Sequence, residues 1–446
     1  MLKSTVLLRL LSALLFLDTA AAAQVEIFGL RTFAAGDEYR PPVIAAGEQV
    51  TIEFDVATNI PPNLHILFYH STRDWKVEQN SFINDPGTIR AEMLLYAPAP
   101  AAVYQYRYRY RNSFPNTRNR VAFRYSGNYI YRIVDADAAD AVLAEGRFIV
   151  TENIIPLVVT MENRYHSEYE PPFNQRIWTS VAVDLPAEFT AADRASVAHE
   201  DVDRVAVIRN WELDRPVFID TKDDDPESFV ENLLRPNRTF IRRDVPVGNE
   251  YRRMDLSSVA FYPNNQPAVL RDGPDVSRFR WQGKPDANGA TKADAFTGTN
   301  SDYLEVELRL RLAEPPAQKV YVTGGFSGWK VLPEYEMKPD TVSGLYVLRF
   351  WVRRGVYDYQ YVLGTPAPDG TVQQQDWFTL EGNDWRTINR YTVLVYYADR
   401  RLGGVDRVIG SLRVRNAGTS DPGKKTGFPI QKIINNGPVY YTQPKN

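Results

Sequence analysis

Cysteine is absent from all 446 residues. That excludes thiol catalysis, CxxC redox chemistry and cysteine zinc sites, and it leaves no disulfide to brace a domain. Each domain must then rest on its own apolar core. Neither sign of charge dominates: 52 Lys and Arg stand against 55 Asp and Glu, for a net charge of −3. Acids are interleaved with the arginines, so no basic stripe argues for nucleic acid. Beyond the first residues no segment is long and apolar enough to span a bilayer. The GxSxG, HExxH, P-loop and GxGxxG patterns are missing. With 55 acidic residues, accidental carboxylate pairs are guaranteed, so spacing alone names no glycosidase pair. No catalytic residue, cofactor or metal ligand is therefore assigned.

The histidines are few: His65, His70, His166 and His199. His65 and His70 are not at a zinc spacing and have no third ligand nearby. Asp220, Asp223, Asp224 and Asp225 cluster in one loop. They lack the EF-hand order and its central glycine, and they read as a solvated acidic turn.

The N-terminus has the three parts of an export signal. Lys3 and Arg9 are basic, residues 10–17 are apolar, and Ala21, Ala22 and Ala23 supply the small residues for cleavage. A cut after Ala23 removes two basic residues and one acidic one, leaving 52 − 2 against 55 − 1, a mature charge of −4. No cysteine follows the small residues, so a lipid anchor is not expected.

What is present favours strands and turns: 30 Pro, 26 Gly and 26 Tyr. The length suggests about three domains at about 150 residues each. The expected fold is all-β, with tandem immunoglobulin-like or early-set β-sandwich domains. Residues 24–153 form the first, with strands at 50–56, 65–69, 89–95, 104–110, 128–133 and 147–150. In that reading Tyr104, Tyr106, Tyr108 and Tyr110 alternate with Gln105, Arg107, Arg109 and Arg111, giving one aromatic and one cationic face. Residues 154–285 form a middle β-rich domain with strands at 157–160, 177–185, 205–213 and 239–243. It has an acidic turn at 220–226 and a short helix at 227–234. Residues 286–302, rich in Gly, Asn, Thr, Asp and Ala, read as a linker or loop. Residues 303–416 form the third domain. Its first strand is announced by Leu304, Val306, Leu308, Leu310 and Leu312 alternating with Glu305, Glu307, Arg309 and Arg311. Residues 417–446 lack periodicity and read as a flexible tail.

Residues 320–329, VYVTGGFSGW, run from a strand into a Gly-rich turn and a Trp. They resemble the opening of starch- and glycogen-type carbohydrate-binding modules, in which aromatic faces stack on sugar rings. Trp329, Trp351, Trp377 and Trp385 would form that platform, making the chain an exported glycan-binding protein. The competing reading puts these aromatics in the sandwich core, since a shared fold does not transfer function. An exported hydrolase with a hidden acid pair is a third reading, without local support.

A longer pattern runs through the chain. It includes Tyr69 and His70, Asp74 and Trp75, Pro115 and Asn116, Ser126 with Gly127, Asn128 and Tyr129, then Arg147 and Phe148. In the middle it continues as Gly248, Asn249, Glu250, Tyr251 and Arg252. It closes on Asp302 and Tyr303, residues 355–361 with Tyr359, Glu381 and Gly382, Thr387, Asn389, Tyr391, Asp406 and Arg407, and Ile409 and Gly410. Over about residues 30–415 this order resembles the plug proteins of the bacterial type IX secretion system. Ser71 stands where that family often has Cys, and the chain is richer in arginine than typical members. The resemblance implies a periplasmic protein of Bacteroidota-type bacteria without enzymatic activity. It would dock on the inner side of the outer-membrane β-barrel translocon through protein contacts only and close its pore in the absence of cargo. On this reading the pattern residues hold the fold: Gly127 and Gly382 serve turns, and Trp75 and the alternating tyrosines serve cores.

Overall fold

The alternation at 304–312 becomes the central strand of the third sandwich. In the computed structural model Leu304, Val306, Leu308 and Leu310 are buried along strand Tyr303–Arg311. The structure describes residues 25–155, 157–164, 176–183, 201–222, 224–231, 238–278, 283, 285–384, 386–416 and 431–435. The expected export signal, His166, His199, Asp223 and Trp385 lie outside the described residues. The described chain is all-β, its helical segments being short 3-10 turns.

In the first sandwich one sheet orders Ile27–Ala34, Val50–Val56, Tyr108–Phe114 and Tyr96–Pro98. The other orders Val43–Ala45, Ala141–Thr151, Gly127–Asp135, Leu64–Ser71 and Arg90–Ala91. Between them pack Ile52, Phe54, Phe68, Tyr131 and Phe148. Strand Val50–Val56 is buried at every position. Its even-numbered residues face this core, and Thr51, Glu53 and Asp55 are covered as well.

The tyrosine-rich strand begins later than alternation predicts. It runs Tyr108–Phe114, and Tyr104 is exposed while Tyr106 is buried against the third sandwich. The reason is a competing acceptor: the backbone N–H groups of Tyr104 and Gln105 donate to the Asp302 carboxylate rather than to a neighbouring strand. The strand expected at 89–95 is shortened to Arg90–Ala91, and a separate strand, Tyr96–Pro98, follows it.

The middle sandwich is discontinuous in sequence. One sheet orders Ser228–Glu231, Arg238–Pro246, Arg176–Val183, Leu157–Arg164 and Gln431–Asn435. The other orders Val217–Asp220, Arg204–Arg209, Arg390–Asp399 and Val405–Arg415. Segment 390–415, expected in the third domain, therefore completes the middle one, where Val393, Val395 and Tyr397 pack on Leu157, Val159 and Phe240. Part of the expected tail, Gln431–Asn435, pairs with Leu157–Met161. The helix expected at 227–234 is replaced in part by strand Ser228–Glu231, which pairs with Arg238–Pro246. A neighbouring strand supplies hydrogen bonds that override weak local propensity.

The third sandwich is inserted between those two parts of the middle one. One sheet is built around Val356–Pro366, which pairs with Arg252–Asp255, Thr291–Lys292, Lys319–Gly324 and Val372–Asp376. The other is built around Tyr303–Arg311, paired with Leu345–Arg353 and with two short parallel strands, Ala268–Val269 and Asp275–Val276. Val306, Leu308, Val322, Phe350 and Tyr361 fill the space between the sheets.

Candidate functional site

Several of the pattern residues lie at the three joints between sandwiches. At the joint of the first and third, Glu53 is the hub. It accepts from Arg353 at 2.5 Å, Arg111 at 2.8 Å and Arg31 at 3.1 Å. Arg31 also holds Glu38 at 2.6 Å and Asp294 at 3.2 Å. Asp55 accepts from Arg109 at 2.8 Å and from the Tyr303 hydroxyl at 2.9 Å. Burial pushes the Glu53 carboxyl up, but Arg353, Arg31 and Arg111 together hold it below its usual range. At Asp55 burial wins over Arg109 and the carboxyl is raised. Asp294 is drawn down to about 2, against burial, by Arg111 and Arg31. Asp294 and Asp302 both lie in the 286–302 stretch read as a linker. Its polar composition serves as a pin: Asp302 holds Tyr104 and Gln105, and Ser301 holds the Tyr106 hydroxyl at 3.0 Å.

The joint of the first and middle sandwiches uses His70, Gly127, Asn128 and Asp406. The His70 Nε2 meets the Ser126 carbonyl at 3.0 Å, and burial lowers the ring's pKa. Gly127 has φ 139°, and a Cβ there would stand 2.3 Å from His70 Nε2 and 2.7 Å from the Asp406 carbonyl. Only glycine permits that approach. Asp406 accepts from the Arg73 backbone N–H at 2.9 Å and from its Nε at 2.7 Å, while Arg73 also holds Asp203 at 2.6 Å. The Tyr396 hydroxyl donates to Asn128 at 2.8 Å, and the Val408 N–H donates to the Ser126 hydroxyl at 2.9 Å. An apolar layer of Val43, Ile149, Ile208, Leu394 and Val408 backs these contacts. Trp75 packs against this layer under Arg147, so it serves the joint rather than the first sandwich's core.

The joint of the middle and third sandwiches uses Gly248, Asn249, Glu381 and Asn389. Gly248 has φ 77°, and a Cβ would reach 2.2 Å from Arg209 Nη1. Asn389 donates to the Val247 carbonyl at 2.8 Å and accepts from Asn210 at 2.8 Å. Asn249 donates to the Glu381 carbonyl at 2.9 Å. The Tyr251 hydroxyl donates to Glu212 at 2.7 Å, and Arg209 holds the same carboxylate at 2.6 Å. Glu381 accepts from Arg252 and Arg278, both at 2.9 Å, and from the Tyr361 N–H at 2.8 Å. The Tyr359 hydroxyl donates to Asp275 at 2.8 Å. Gly382 turns the chain with φ 82°. Tyr391 and Gly410 are interior: Tyr391 lies in the middle core, and a Cβ on Gly410 would stand 2.8 Å from Ile155. Tyr129 lies in the first core, its hydroxyl donating to the Tyr125 carbonyl at 2.7 Å.

Among the described residues, Trp329, Trp351 and Trp377 do not share an exposed face. Trp329 and Trp377 are both 3% exposed. Trp329 packs against Tyr251, the rings tilted by 44°, and donates to the Gly289 carbonyl at 2.8 Å, and Arg215 covers Trp377 at 3.7 Å. Trp351, on the opposite sheet, is 50% exposed and stands alone. Two of the expected platform residues are thus spent on packing. In the acidic turn, Asp220 pairs with Arg204 and Asp225 with Arg242, and no group of three metal-ligating side chains forms among the described residues. His65 accepts from Arg90 at 3.3 Å. The hub residues Glu53, Arg31 and Arg353 had no sequence signal. They alternate in strands as ordinary surface charges do, and only the opposing sandwich buries them.

The arrangement defines a class: an all-β chain of three sandwiches joined by buried polar contacts. Residues 27–152 match the family model described as "Type 9 secretion system plug protein 1st domain". The first domain is thus similar to that of the type 9 secretion system plug proteins, the family whose pattern the sequence resembles. A crystal structure of a hypothetical protein from Parabacteroides merdae ATCC 43184 has a similar fold, with a TM-score of 0.71 and 22% identity over 88% of this chain and 97% of that one. A marsupial T cell receptor also matches, at 10% identity over 88% of this chain and 99% of that one, but its TM-score of 0.17 carries no argument. No curated protein matches the chain.

Proposed function

We propose that this protein is the periplasmic stopper of a type IX translocon. It docks under the outer-membrane barrel and closes the pore when no cargo is passing. The observation that carries this reading is the family match of the first domain, and the joints give it a physical basis. A pore wide enough for folded proteins leaks small solutes unless a body that resists deformation occludes it. Three sandwiches fastened by Glu53, Asp406 and Glu212 behave as one such body. The task is occlusion and needs no catalytic group. Stable docking needs an interface of about 1,200–2,000 Å², and release is then set by the dissociation rate.

Affinity purification of the tagged protein from its native host in mild detergent, followed by mass spectrometry, tests the proposal. A very large outer-membrane barrel recovered in near-equal amount supports it. Recovery of the protein without any enriched barrel overturns it.

A further inference from the structure

Many arginines among the described residues are paired with carboxylates. Arg31, Arg73, Arg109, Arg209, Arg252 and Arg353 each hold a carboxylate at 2.5–2.9 Å. Among the arginines that make no ion pair, three stand together. Arg390 and Arg415 stand directly opposite each other where Arg390–Asp399 pairs with Val405–Arg415, and Arg413 follows two positions along, on the same face. None of these three has an ion pair among the described residues; Arg413 donates only to the Val43 carbonyl, at 3.3 Å. Like charges directly opposite in a sheet are destabilising.

Arg40 of the first sandwich faces this group across the joint. Together the four arginines line a cavity of about 310 Å³, with Tyr39 and Trp211 among its walls and no acidic residue in its lining. Arg40 itself holds Glu48 at 3.1 Å, outside the lining.

We propose that this cavity is a binding site for a phosphate-type oxyanion, held by Arg390, Arg413 and Arg415 of the middle sandwich and Arg40 of the first. The planar guanidinium fork matches phosphate oxygens in pairs. A bound anion removes the opposition of Arg390 and Arg415. The cavity has the size of a small-ligand pocket, and Trp211 and Tyr39 offer an apolar wall to the carbon part of a phosphate ester. Because the arginines come from two sandwiches, the ligand also bridges a joint. The inference stands independently of the plug assignment.

The test uses the full mature chain with inorganic pyrophosphate as probe, at constant ionic strength. A saturable rise in melting temperature is expected, with affinity falling at least about tenfold in Arg390→Gln/Arg415→Gln, the loss of two charge-assisted contacts. Both side chains are exposed, so the variant should fold. Without ligand, Arg415→Gln alone should melt no lower than the parent, since it removes a repulsion. Arg118→Gln, an exposed arginine elsewhere, should bind as the parent does. Flotation with phosphatidylcholine vesicles, with and without 20% phosphatidylglycerol, separates the sources. Co-flotation that needs the anionic lipid and is lost in the double variant assigns a lipid headgroup, whereas pyrophosphate binding without flotation assigns a soluble phosphate ester. Neither saturable binding nor flotation, or equal affinity in parent and double variant, overturns the proposal.

Discussion

Arg353 of the third sandwich donates to Glu53 of the first at 2.5 Å, and both side chains are almost fully buried. Neither charge reaches water, so each depends on the other across a joint. Arg353→Met strands part of the Glu53 charge and should cost on the order of 3 kcal/mol. Arg31 and Arg111 remain to limit the loss. Glu53→Gln should also destabilise. The double variant should lose less than the sum, giving a coupling of about 1 kcal/mol or more in urea denaturation. Strict additivity would mean that this pair does not fasten the joint.

Gly127→Ala tests the joint of the first and middle sandwiches. The new methyl group would meet His70 Nε2 at 2.3 Å at a φ of 139°. A loss of at least about 2 kcal/mol is expected. His70→Ala in the same chain should recover part of the loss by opening space. A thermal melt matching the parent would remove the steric argument.

Asp358 should make stability depend on pH. Burial, then the neighbouring Asp286, raises its carboxyl from 3.8 to about 7, against the N–H donors of Gly289 and Ala287. A raised acid pKa means that the folded state holds its proton longer than the unfolded chain does. Stability from this group is then full below about pH 4 and falls as pH rises through 7. Asp358→Asn keeps an acceptor for both N–H groups and carries no charge. Its melting temperature, relative to the parent, should rise between pH 5 and pH 8. A difference that does not change with pH would place the Asp358 titration elsewhere.

Trp329 and Trp351 should respond oppositely to truncation. Trp329→Ala empties a buried site and should cost about 3–5 kcal/mol. Trp351→Ala, at a half-exposed position, should cost about 1 kcal/mol or less. Retention of the protein on insoluble glucan, lost in Trp351→Ala, would restore a glycan role to that exposed ring.

Much of the architecture was legible from simple patterns. The alternation of Leu304, Val306, Leu308 and Leu310 predicts a half-buried strand, and strand Tyr303–Arg311 buries those four residues. The run 50–56 is a strand with the expected bounds. The ordered pattern from His70 to Gly410 pointed to the family whose first-domain model matches residues 27–152. Period, turn residues and motif order are local properties, and they survive whatever the rest of the chain does.

The joints were not legible in the same way. Glu53 and Asp55 alternate with apolar residues just as solvated charges would, and they become buried because the third sandwich covers that face. Residues 286–302 have the composition of a linker, yet Asp294 and Asp302 fasten two sandwiches. Strand Arg390–Asp399 looks continuous with the third domain but pairs with Arg204–Arg209 of the middle one. Strand partners and buried charge pairs are relations between distant segments, whose energies depend on which surfaces meet. Local pattern could therefore place the strands, while the docking of the sandwiches settled which strands share a sheet and which charges are buried.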